Sequence, residues 1–372
     1  MPTLWGETYT RTELLRRVGR LEQVAGVRLA TLADGAKRGV RVLEFRTGAG
    51  FSFDILVDRA FDLGHAEIGG QPLAWTSPVG VTGPWYYEPG GLGFLRSFGG
   101  GLLTTCGLDH TLFPTDDTAR GYHYPPKATE HYGLHGRVSN RPARLVGYGE
   151  RWEGDTCTLW AEGEVQQASA LGENLVLRRR VEARVGEAHL TLHDEVENAG
   201  HHPTPHMLLY HVNFGFPVVD EGAEILLPTR HVTPCGDYPA EGFGTLTAPV
   251  KDFEEQVFEF EPLAEPDGTV PVGILNRARG LGVYELYKGE QLPQPFVWRM
   301  LGEGHYVVAL EPSTNRVAGR HDARERGELI MLAPGERRRY DLELGVLAGG
   351  DALERFAARV DALIPSPSLE TP

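Results

Sequence analysis

Apolar and polar residues alternate with a period of two along most of this chain. The alternation is clear at residues 40–46 and 51–57, which flank a glycine-rich turn at 48–50, and again at residues 158–165. Alternation of this kind is typical of strands with one buried face, and two such runs around a glycine turn indicate a hairpin. The pattern therefore predicts antiparallel strands joined by turns through most of the sequence.

Helical patterns stand near the two ends. Residues 10–13 (Thr-Arg-Thr-Glu) have the form of a capping box and predict a short helix from about 11 to 19. Apolar residues at helical spacing predict a second helix over about 351–363. The body between them lacks strand–helix–strand alternation, and neither a linker nor a shift in composition divides it. We predict an all-β fold, one large antiparallel β-sandwich domain over residues 1–372, with short N- and C-terminal helices.

Residues 75–126 depart from the alternation. This stretch is rich in glycine and in aromatic residues, among them Trp85, Tyr86 and Phe98. Long irregular segments within compact domains are usually functional or disordered, and the aromatic content argues against disorder. We therefore expect an ordered excursion that lines a binding site.

Charge and composition exclude several classes of protein. The net charge of −15 argues against a nucleic-acid partner, which normally requires a basic face. The three cysteines, Cys106, Cys157 and Cys235, are widely spaced and suit neither a zinc knuckle nor a disulfide framework. The sequence begins without a secretion signal and contains no apolar run of membrane-spanning length, so a cytoplasmic protein without a membrane partner is predicted.

A carboxylate at the end of a hydrophobic strand is the first candidate for chemistry. Residues 305–310 form a β-branched, apolar run typical of a strand buried on both faces, and Glu311 and Pro312 follow directly. Pro312 would end the strand because it has no backbone N–H to donate. Glu311 would then lie at the rim of a sheet, either solvated in a loop or held at the mouth of a cleft as a general base.

Two histidines and an arginine have a similar setting. His211 follows the apolar run 207–210, where a hydrogen-bonded core histidine is the alternative to a functional one. His135 precedes Gly136, which permits close approach of a ligand, although a turn histidine would fit as well. Arg96 would either bind a ligand or pair with an acidic residue. The residues alone leave these alternatives open.

Three short motifs follow one another along the chain: Tyr132-Gly133-Leu134-His135-Gly136, the segment 209–215 (Leu-Tyr-His-Val-Asn-Phe-Gly) and Leu310-Glu311-Pro312. Taken together and in order, they resemble those of the aldose 1-epimerases (the galactose mutarotase family), and more narrowly an uncharacterised bacterial branch of that superfamily. The resemblance implies a galactose mutarotase-like β-sandwich that interconverts the anomers of a free sugar or sugar derivative, without a metal or cofactor. It implies that Glu311 takes the proton of the anomeric hydroxyl and that His211 protonates the ring oxygen.

The same resemblance suggests residues that bind the substrate. Arg96, His135 and Asn213 are expected to contact the sugar. Asn315, Arg316 and Arg320 have no role in the simple sugar enzymes, and would bind an acidic or unusual sugar or else form a salt-bridged loop. The family's hydroxyl-binding aspartate has no clear counterpart in this sequence, so the sugar is not identified. The expected partner is a small carbohydrate, bound by a monomer or a homodimer.

Two other functions fit parts of the sequence. A metal-dependent sugar isomerase would use a histidine-rich segment, although Gly133 argues against the helix that the spacing of His131 and His135 requires. A non-catalytic sugar-binding sandwich would use aromatic side chains that stack on sugar rings. The residues for the metal site would be His110, His123, Glu130, His131 and His135, and those for stacking Trp75, Trp85, Tyr86, Trp298 and Tyr306.

Overall fold

The computed structural model describes residues 1–119 and 127–365 and consists mainly of antiparallel strands. Most of these strands alternate buried and more exposed side chains, as the period of two predicts. In chain order the strands are β1 (Thr3–Leu4), β2 (Glu7–Thr8), β3 (Gly26–Thr31), β4 (Arg41–Arg46), β5 (Phe51–Leu56), β6 (Asp62–Ile68), β7 (Gln71–Pro72), β8 (Leu103–Leu108), β9 (Thr115–Thr118), β10 (Thr129–Tyr132), β11 (Ala143–Glu153), β12 (Thr156–Ala168), β13 (Asn174–Arg184), β14 (His189–Asn198), β15 (Thr204–Gly215), β16 (Glu224–Leu226), β17 (Val232–Pro234), β18 (Gln256–Phe260), β19 (Thr269–Asn276), β20 (Leu281–Lys288), β21 (Phe296–Gly302), β22 (His305–Glu311), β23 (Ile330–Leu332) and β24 (Arg337–Ala348).

Two large sheets contain most of these strands. The twelve-stranded sheet has the order β17-β18-β21-β22-β15-β8-β6-β5-β4-β3, with β7 paired to β6 and β23 paired to β15. The eight-stranded sheet has the order β11-β12-β13-β14-β24-β20-β19-β16. Side chains from both sheets form one hydrophobic core between them. The prediction of a large antiparallel β-sandwich is therefore confirmed.

In the described residues, three short α-helices accompany the sheets: α1 (Arg11–Leu15), α2 (Gly319–Glu325) and α3 (Gly350–Asp361). The predicted capping box is present at Thr10 and Glu13, but α1 ends four residues earlier than expected. Only Leu14 of this helix is buried, so little packing supports further turns. Helix α3 agrees closely with its prediction and buries one apolar face. No helix in the described part of the chain is long and apolar enough to span a membrane.

The irregular excursion is present, but it is shorter than residues 75–126. It contains two 3₁₀ turns, Pro84–Tyr86 and Gly93–Arg96. Strand β8 then follows with every side chain buried, and β9 lies further on. The prediction of irregular structure was wrong at β8 because its threonines and Gly107 hide the apolar pattern of a strand in mid-sheet.

Arg59 fastens this excursion to the sandwich. The side chain is buried, and its guanidinium donates hydrogen bonds to four oxygens on three separate segments. Nε donates to the carbonyl of Ser139 at 2.8 Å, and the other nitrogens reach Thr82 (carbonyl and hydroxyl) and the carbonyl of Ser97, each at 2.9 Å. Because Ser97 directly precedes Phe98 in the chain, the hydrogen bonds of Arg59 also help to position the Phe98 ring.

Arg179 forms a second buried polar cluster, between the two sheets. Its guanidinium donates to Asp62 Oδ1 at 2.7 Å and to Asp194 Oδ2 at 2.6 Å. A further bond reaches the hydroxyl of Thr105 at 2.8 Å, and the Tyr210 hydroxyl donates to Asp194 Oδ2 at 2.6 Å. These bonds link β13 and β14 of one sheet to β6, β8 and β15 of the other. They therefore help to hold β15 in place.

Candidate active site

Strands β15 and β22 bring two titratable side chains together. The strands are neighbours in the twelve-stranded sheet, with Val212 opposite Leu310. Tyr210, Val212 and Leu310 belong to the core between the sheets. Because side chains alternate across a strand, His211 and Glu311 project from the opposite face as cross-strand neighbours. The convergence expected of these two residues is therefore found.

The two side chains form a close and buried pair. Nε2 of His211 lies 3.4 Å from Oε1 of Glu311, and only 6% and 2% of the two side chains are exposed. Among the described residues, Oε1 of Glu311 and Nδ1 of His211 have no hydrogen-bond partner of normal geometry. No arginine or lysine compensates the carboxylate here within the described part of the chain. A pair of this kind is costly to ionise, which is characteristic of a site that exchanges protons.

Burial acts on the two groups in opposite directions. It raises the pKa of Glu311 well above its usual value, and the charges of Glu255 and Glu285 add to the effect. It lowers the pKa of His211 to about 4, although the nearby side chain of Asn213 works against this shift. Both changes disfavour the charged form of the residue. The pair is therefore most stable with a neutral imidazole and a protonated carboxyl group.

His135 lies beside this pair on a turn. Its ring centre is 5.9 Å from that of His211, and the two rings are nearly perpendicular, at 82°. The residue adopts a left-handed backbone conformation (φ 58°), which is strained for a residue with a side chain and is common at functional sites. The backbone N–H of Leu112 donates to Nδ1 of His135 at 3.3 Å. Since burial lowers the pKa of His135 well below its usual value, its neutral ring carries the proton on Nε2 and can donate from there.

An aromatic cleft opens next to His211. Its volume is about 460 Å³. The rings of Phe98 and Trp298 lie 5.0 and 5.4 Å from the imidazole of His211. The indole N–H of Trp298 donates to Glu255 Oε2 at 3.1 Å, which places a carboxylate at the same cleft. Aromatic faces with a few polar groups suit a sugar ring. The residues that line the cleft are Trp75, Ser77, Pro78, Val79, Leu95, Phe98, Glu255, Trp298, Met300 and His305.

A second and larger cleft lies on the other side of the pair. Its volume is about 650 Å³, and Arg230, Glu259 and Arg316 are among the residues that line it. Phe296 separates it from the pair, because this residue is opposite Glu311 on one side and Glu259 on the other. Nε of Arg316 lies 3.4 Å from Glu328 Oε2. Arg316 therefore lies at this second cleft and not beside His211.

The remaining predicted residues occupy different environments. Asn213 is fully buried next to His211, and its amide donates to the carbonyls of Gly101 and His211. Asn315 is buried in the loop after Glu311, where its Oδ1 accepts from the Thr314 hydroxyl at 2.6 Å. The side chain of Arg96 is 75% exposed, and its Nε lies 3.6 Å from Glu88 Oε2. The structure thus brings His135, Asn213 and the pair together and places Arg96 and Arg316 elsewhere.

Sequence reasoning missed two residues of the cleft. The aromatic composition of residues 75–126 does not single out Phe98, and Glu255 belongs to none of the motifs. No pattern in the sequence marks Glu255, which lies in an exposed loop before β18. Phe98 could have been suspected from its place after Arg96-Ser97 in the excursion. Trp75 and Trp298, considered for sugar stacking, do line the cleft.

The histidine-rich segment does not form a metal site within the described residues, where no group of three or more His, Cys, Asp or Glu side chains is arranged to hold a metal ion. His131 contacts Asp116, and a ring nitrogen of His110 lies 3.0 Å from the carbonyl of Phe113. His123 lies outside the described residues.

Comparison with known proteins places the fold and the family. The structure is similar to that of a "putative aldose 1-epimerase" from Klebsiella pneumoniae, with a TM-score of 0.84 and 25% identity over 93% of this chain and 91% of that one. A galactose mutarotase-like protein from Clostridium acetobutylicum gives a TM-score of 0.59 at 12% identity, with 87% and 98% covered. Galactose 1-epimerase from Lactobacillus acidophilus gives 0.54 at 12%, with 87% and 99% covered. No curated protein matches in sequence. A family model described as a domain of unknown function (DUF4432) matches residues 37–346, which is most of the chain, so the protein belongs to that family.

Proposed function

We propose that this protein is an isomerase of the aldose 1-epimerase type, which interconverts the anomers of a free sugar or sugar derivative by acid–base ring opening. The observation that carries the proposal is the buried pair, in which His211 Nε2 and Glu311 Oε1 are 3.4 Å apart. The pair lies beside a cleft with aromatic walls. The similarity in fold to proteins described as aldose 1-epimerases supports the same reaction class.

The reaction requires a base and an acid at the two oxygens of one hemiacetal. Glu311, as the carboxylate, removes the proton from the anomeric hydroxyl, while His211, as the imidazolium, donates a proton to the ring oxygen. The bond between C1 and the ring oxygen breaks and leaves an open-chain aldehyde. Rotation about the C1–C2 bond followed by closure gives the other anomer, with both protons returned. Each group contributes about 10²–10⁴-fold to such a step.

The burial of the pair explains how one proton serves both groups. A neutral pair, with a protonated Glu311 and a neutral His211, contains the same number of protons as the reactive ion pair. A bound sugar replaces water with hydroxyl groups that hydrogen-bond to the charged forms, so the proton can move from Glu311 to His211 without exchange with solvent. The carboxylate formed in this apolar environment is a strong base, and the imidazolium is a strong acid.

Neighbouring residues would hold the sugar. The Nε2–H of His135 is available to donate to a sugar oxygen, and the Glu255 carboxylate can accept from hydroxyls. Trp75 and Trp298 offer ring faces for stacking. Such contacts orient the anomeric carbon between the two catalytic groups. Orientation of this kind accounts for a large part of the rate enhancement of an enzyme-bound reaction.

The decisive experiment measures anomer exchange by NMR across a panel of aldoses and uronates. The Glu311→Gln variant should lose at least about 10²-fold in the exchange rate because the amide cannot accept the anomeric proton. Glu259→Gln is the matched control, since Glu259 lies on the same sheet face and its Oε1 accepts only the backbone N–H of Val317 among the described bonds. Unchanged exchange in Glu311→Gln would remove this residue from the mechanism.

A second candidate is a sugar-binding protein without catalysis, which the aromatic cleft favours. The same panel separates the two functions. Saturable binding of a sugar by the wild-type protein without faster anomer exchange would establish the binding protein and overturn the isomerase.

A further inference from the structure

Asn213 has a side-chain orientation that can be deduced from its bonds. The residue is fully buried, and its Nδ2 lies 3.0 Å from the carbonyl of Gly101 and 2.9 Å from that of His211. Only an N–H group can donate to two carbonyl oxygens, so the opposite orientation would place three acceptors together. The Oδ1 atom therefore has a fixed direction.

Oδ1 of Asn213 can accept a hydrogen bond, and Nδ1 of His211 can donate one when it is protonated. Oδ1 of Asn213 and Nδ1 of His211 are both buried, and neither atom has a hydrogen-bond partner of normal geometry among the described residues. The two residues are two positions apart on β15, so their side chains lie on the same face of the strand. The Asn213 amide is folded back onto residue 211, since its Nδ2 donates to the His211 carbonyl at 2.9 Å, and Nε2 of His211 is the ring nitrogen that faces Glu311. Nδ1 is therefore the nitrogen that remains for Asn213.

The other neighbours of the imidazole do not replace Asn213. The ring of Phe98 has no acceptor of normal strength, and the single N–H of Trp298 is bonded to Glu255. Thr104 is opposite His211 on β8, and its hydroxyl donates to the carbonyl of Gly100 at 3.1 Å. Thr104 retains lone pairs, which makes it the natural control.

We propose that Asn213 is a positioning residue that accepts the Nδ1–H of His211 and thereby confines proton exchange to Nε2. This role rests on the proposed function, in which His211 is the acid. Without the bond the imidazole could turn or change tautomer, and a proton on Nε2 of the neutral ring would block proton transfer from Glu311. With it, Nδ1 stays protonated in both states of the cycle, and only Nε2 gains and loses a proton.

The experiment reads the tautomer of His211 directly, by two-bond ¹H–¹⁵N correlation in the sugar-free protein at pH 7.5, with the signal assigned from a His211→Gln variant. We expect Nδ1 protonated and Nε2 bare in the wild type. In Asn213→Leu this preference should disappear, and kcat should fall about tenfold or more with KM within about twofold. Asn213→Asp keeps an acceptor and should retain the tautomer, as should Thr104→Val.

Each possible result of these measurements either supports or overturns the positioning role of Asn213. A wild-type ring protonated on Nε2, or an unchanged tautomer in Asn213→Leu, overturns the proposal. Loss of the tautomer in Thr104→Val with retention in Asn213→Leu assigns the role to Thr104 and overturns it too. If Asn213→Leu does not fold, the wild-type and Asn213→Asp spectra still test it. Because the spectra need no sugar, a wild type with the expected tautomer but no anomer exchange supports the positioning role and overturns the proposed function.

Discussion

The two faces of strand β15 carry buried titratable clusters of opposite character. On the core face, Tyr210 joins the cluster around Arg179, where both carboxylates bond to the guanidinium. On the other face, His211 and Glu311 approach within 3.4 Å, and no arginine or lysine of the described residues forms an ion pair with Glu311. Both clusters are almost completely shielded from water. They differ in whether their charges are compensated.

This difference separates a structural cluster from a reactive one. The Arg179 guanidinium bonds to Asp62, Asp194 and Thr105, so its charge and donors are satisfied in the folded state. Such a group resists proton transfer, because any change of charge leaves a buried partner uncompensated. At the site, neither the Glu311 carboxylate nor the His211 imidazolium would have an ion-pair partner outside the pair among the described residues. A ligand that supplies hydroxyl groups can then change the protonation of the pair.

The largest effect should come from breaking the compensated cluster. Arg179→Met leaves two buried carboxylates without their cation, and should lower the free energy of unfolding by about 3–5 kcal/mol. Urea denaturation measures the change. Arg180→Met is the matched control, because this neighbour on β13 faces the other way and bonds to the partly exposed Glu182 at 2.7 Å. Its loss should be about 1 kcal/mol or less. Equal losses in the two variants would mean that the buried ion pairs of Arg179 contribute no more to the free energy of unfolding than the partly exposed pair of Arg180.

A second test compares two histidines on β15 through the pH dependence of stability. Burial lowers the pKa of His211 to about 4, so the folded protein keeps this ring neutral while the unfolded chain binds a proton below about 6.5. The wild type therefore loses stability as pH falls. Relative to His211→Gln, it should lose about 2 kcal/mol between pH 7.5 and pH 5.

His206 provides the contrast for this measurement. Burial also lowers its pKa to about 4, but its ring nitrogens lie 2.8 Å from the carbonyl of Leu108 and 2.7 Å from the Tyr340 hydroxyl. His206→Gln should therefore be less stable than the wild type at pH 7.5, by about 1–3 kcal/mol. His211→Gln should lose less stability at this pH, since Nδ1 of His211 has no hydrogen bond of normal geometry among the described residues. Equal destabilisation of both variants at pH 7.5 would show that the site histidine is also held for structure.

Glu285 tests whether lack of compensation alone marks a reactive group. It is fully buried on β20, and neither carboxyl oxygen has a partner among the described residues. Burial raises its pKa well above the usual value, so the contribution of this residue to stability is present at low pH and is lost as pH rises above about 4.5. Glu285→Met should be more stable than the wild type by about 1–2 kcal/mol at pH 8, with a smaller difference at pH 5. Thermal unfolding at the two pH values measures this, and a variant less stable at pH 8 would reveal a hidden partner.

The sequence predicted the sandwich because alternation is a local signal that each strand carries by itself. His211 and Glu311 were identifiable for the same reason, since each directly follows an apolar run. The Arg179 cluster was missed, although Leu177 and Val181 flank Arg179 at the same parity and both are buried. Three consecutive arginines suggest an exposed face, and only the alternation shows that the middle one points inward.

Other features depend on contacts that no local pattern contains. The position of Glu255 at the cleft follows from how its loop packs against Trp298. Helix α2 has no apolar stripe, and its buried Arg320 contacts Asp117 across more than two hundred residues of sequence. The place of Asn213 in the motif was visible, but its bond directions were not, because Gly101 approaches it from a distant part of the chain.

The smallest effect is expected at Arg96, and it tests how far the site extends. The resemblance suggested this arginine as a substrate-binding group, yet its side chain is 75% exposed and lies 3.6 Å from Glu88. An exposed pair of this kind contributes little, so Arg96→Ala should change kcat/KM for anomer exchange by less than about twofold. His135→Ala, measured beside it, should raise KM much more, because His135 lies against His211. A large rise in KM for Arg96→Ala would mean that the 3₁₀ turn Gly93–Arg96 moves over the bound sugar and brings the guanidinium into the cleft.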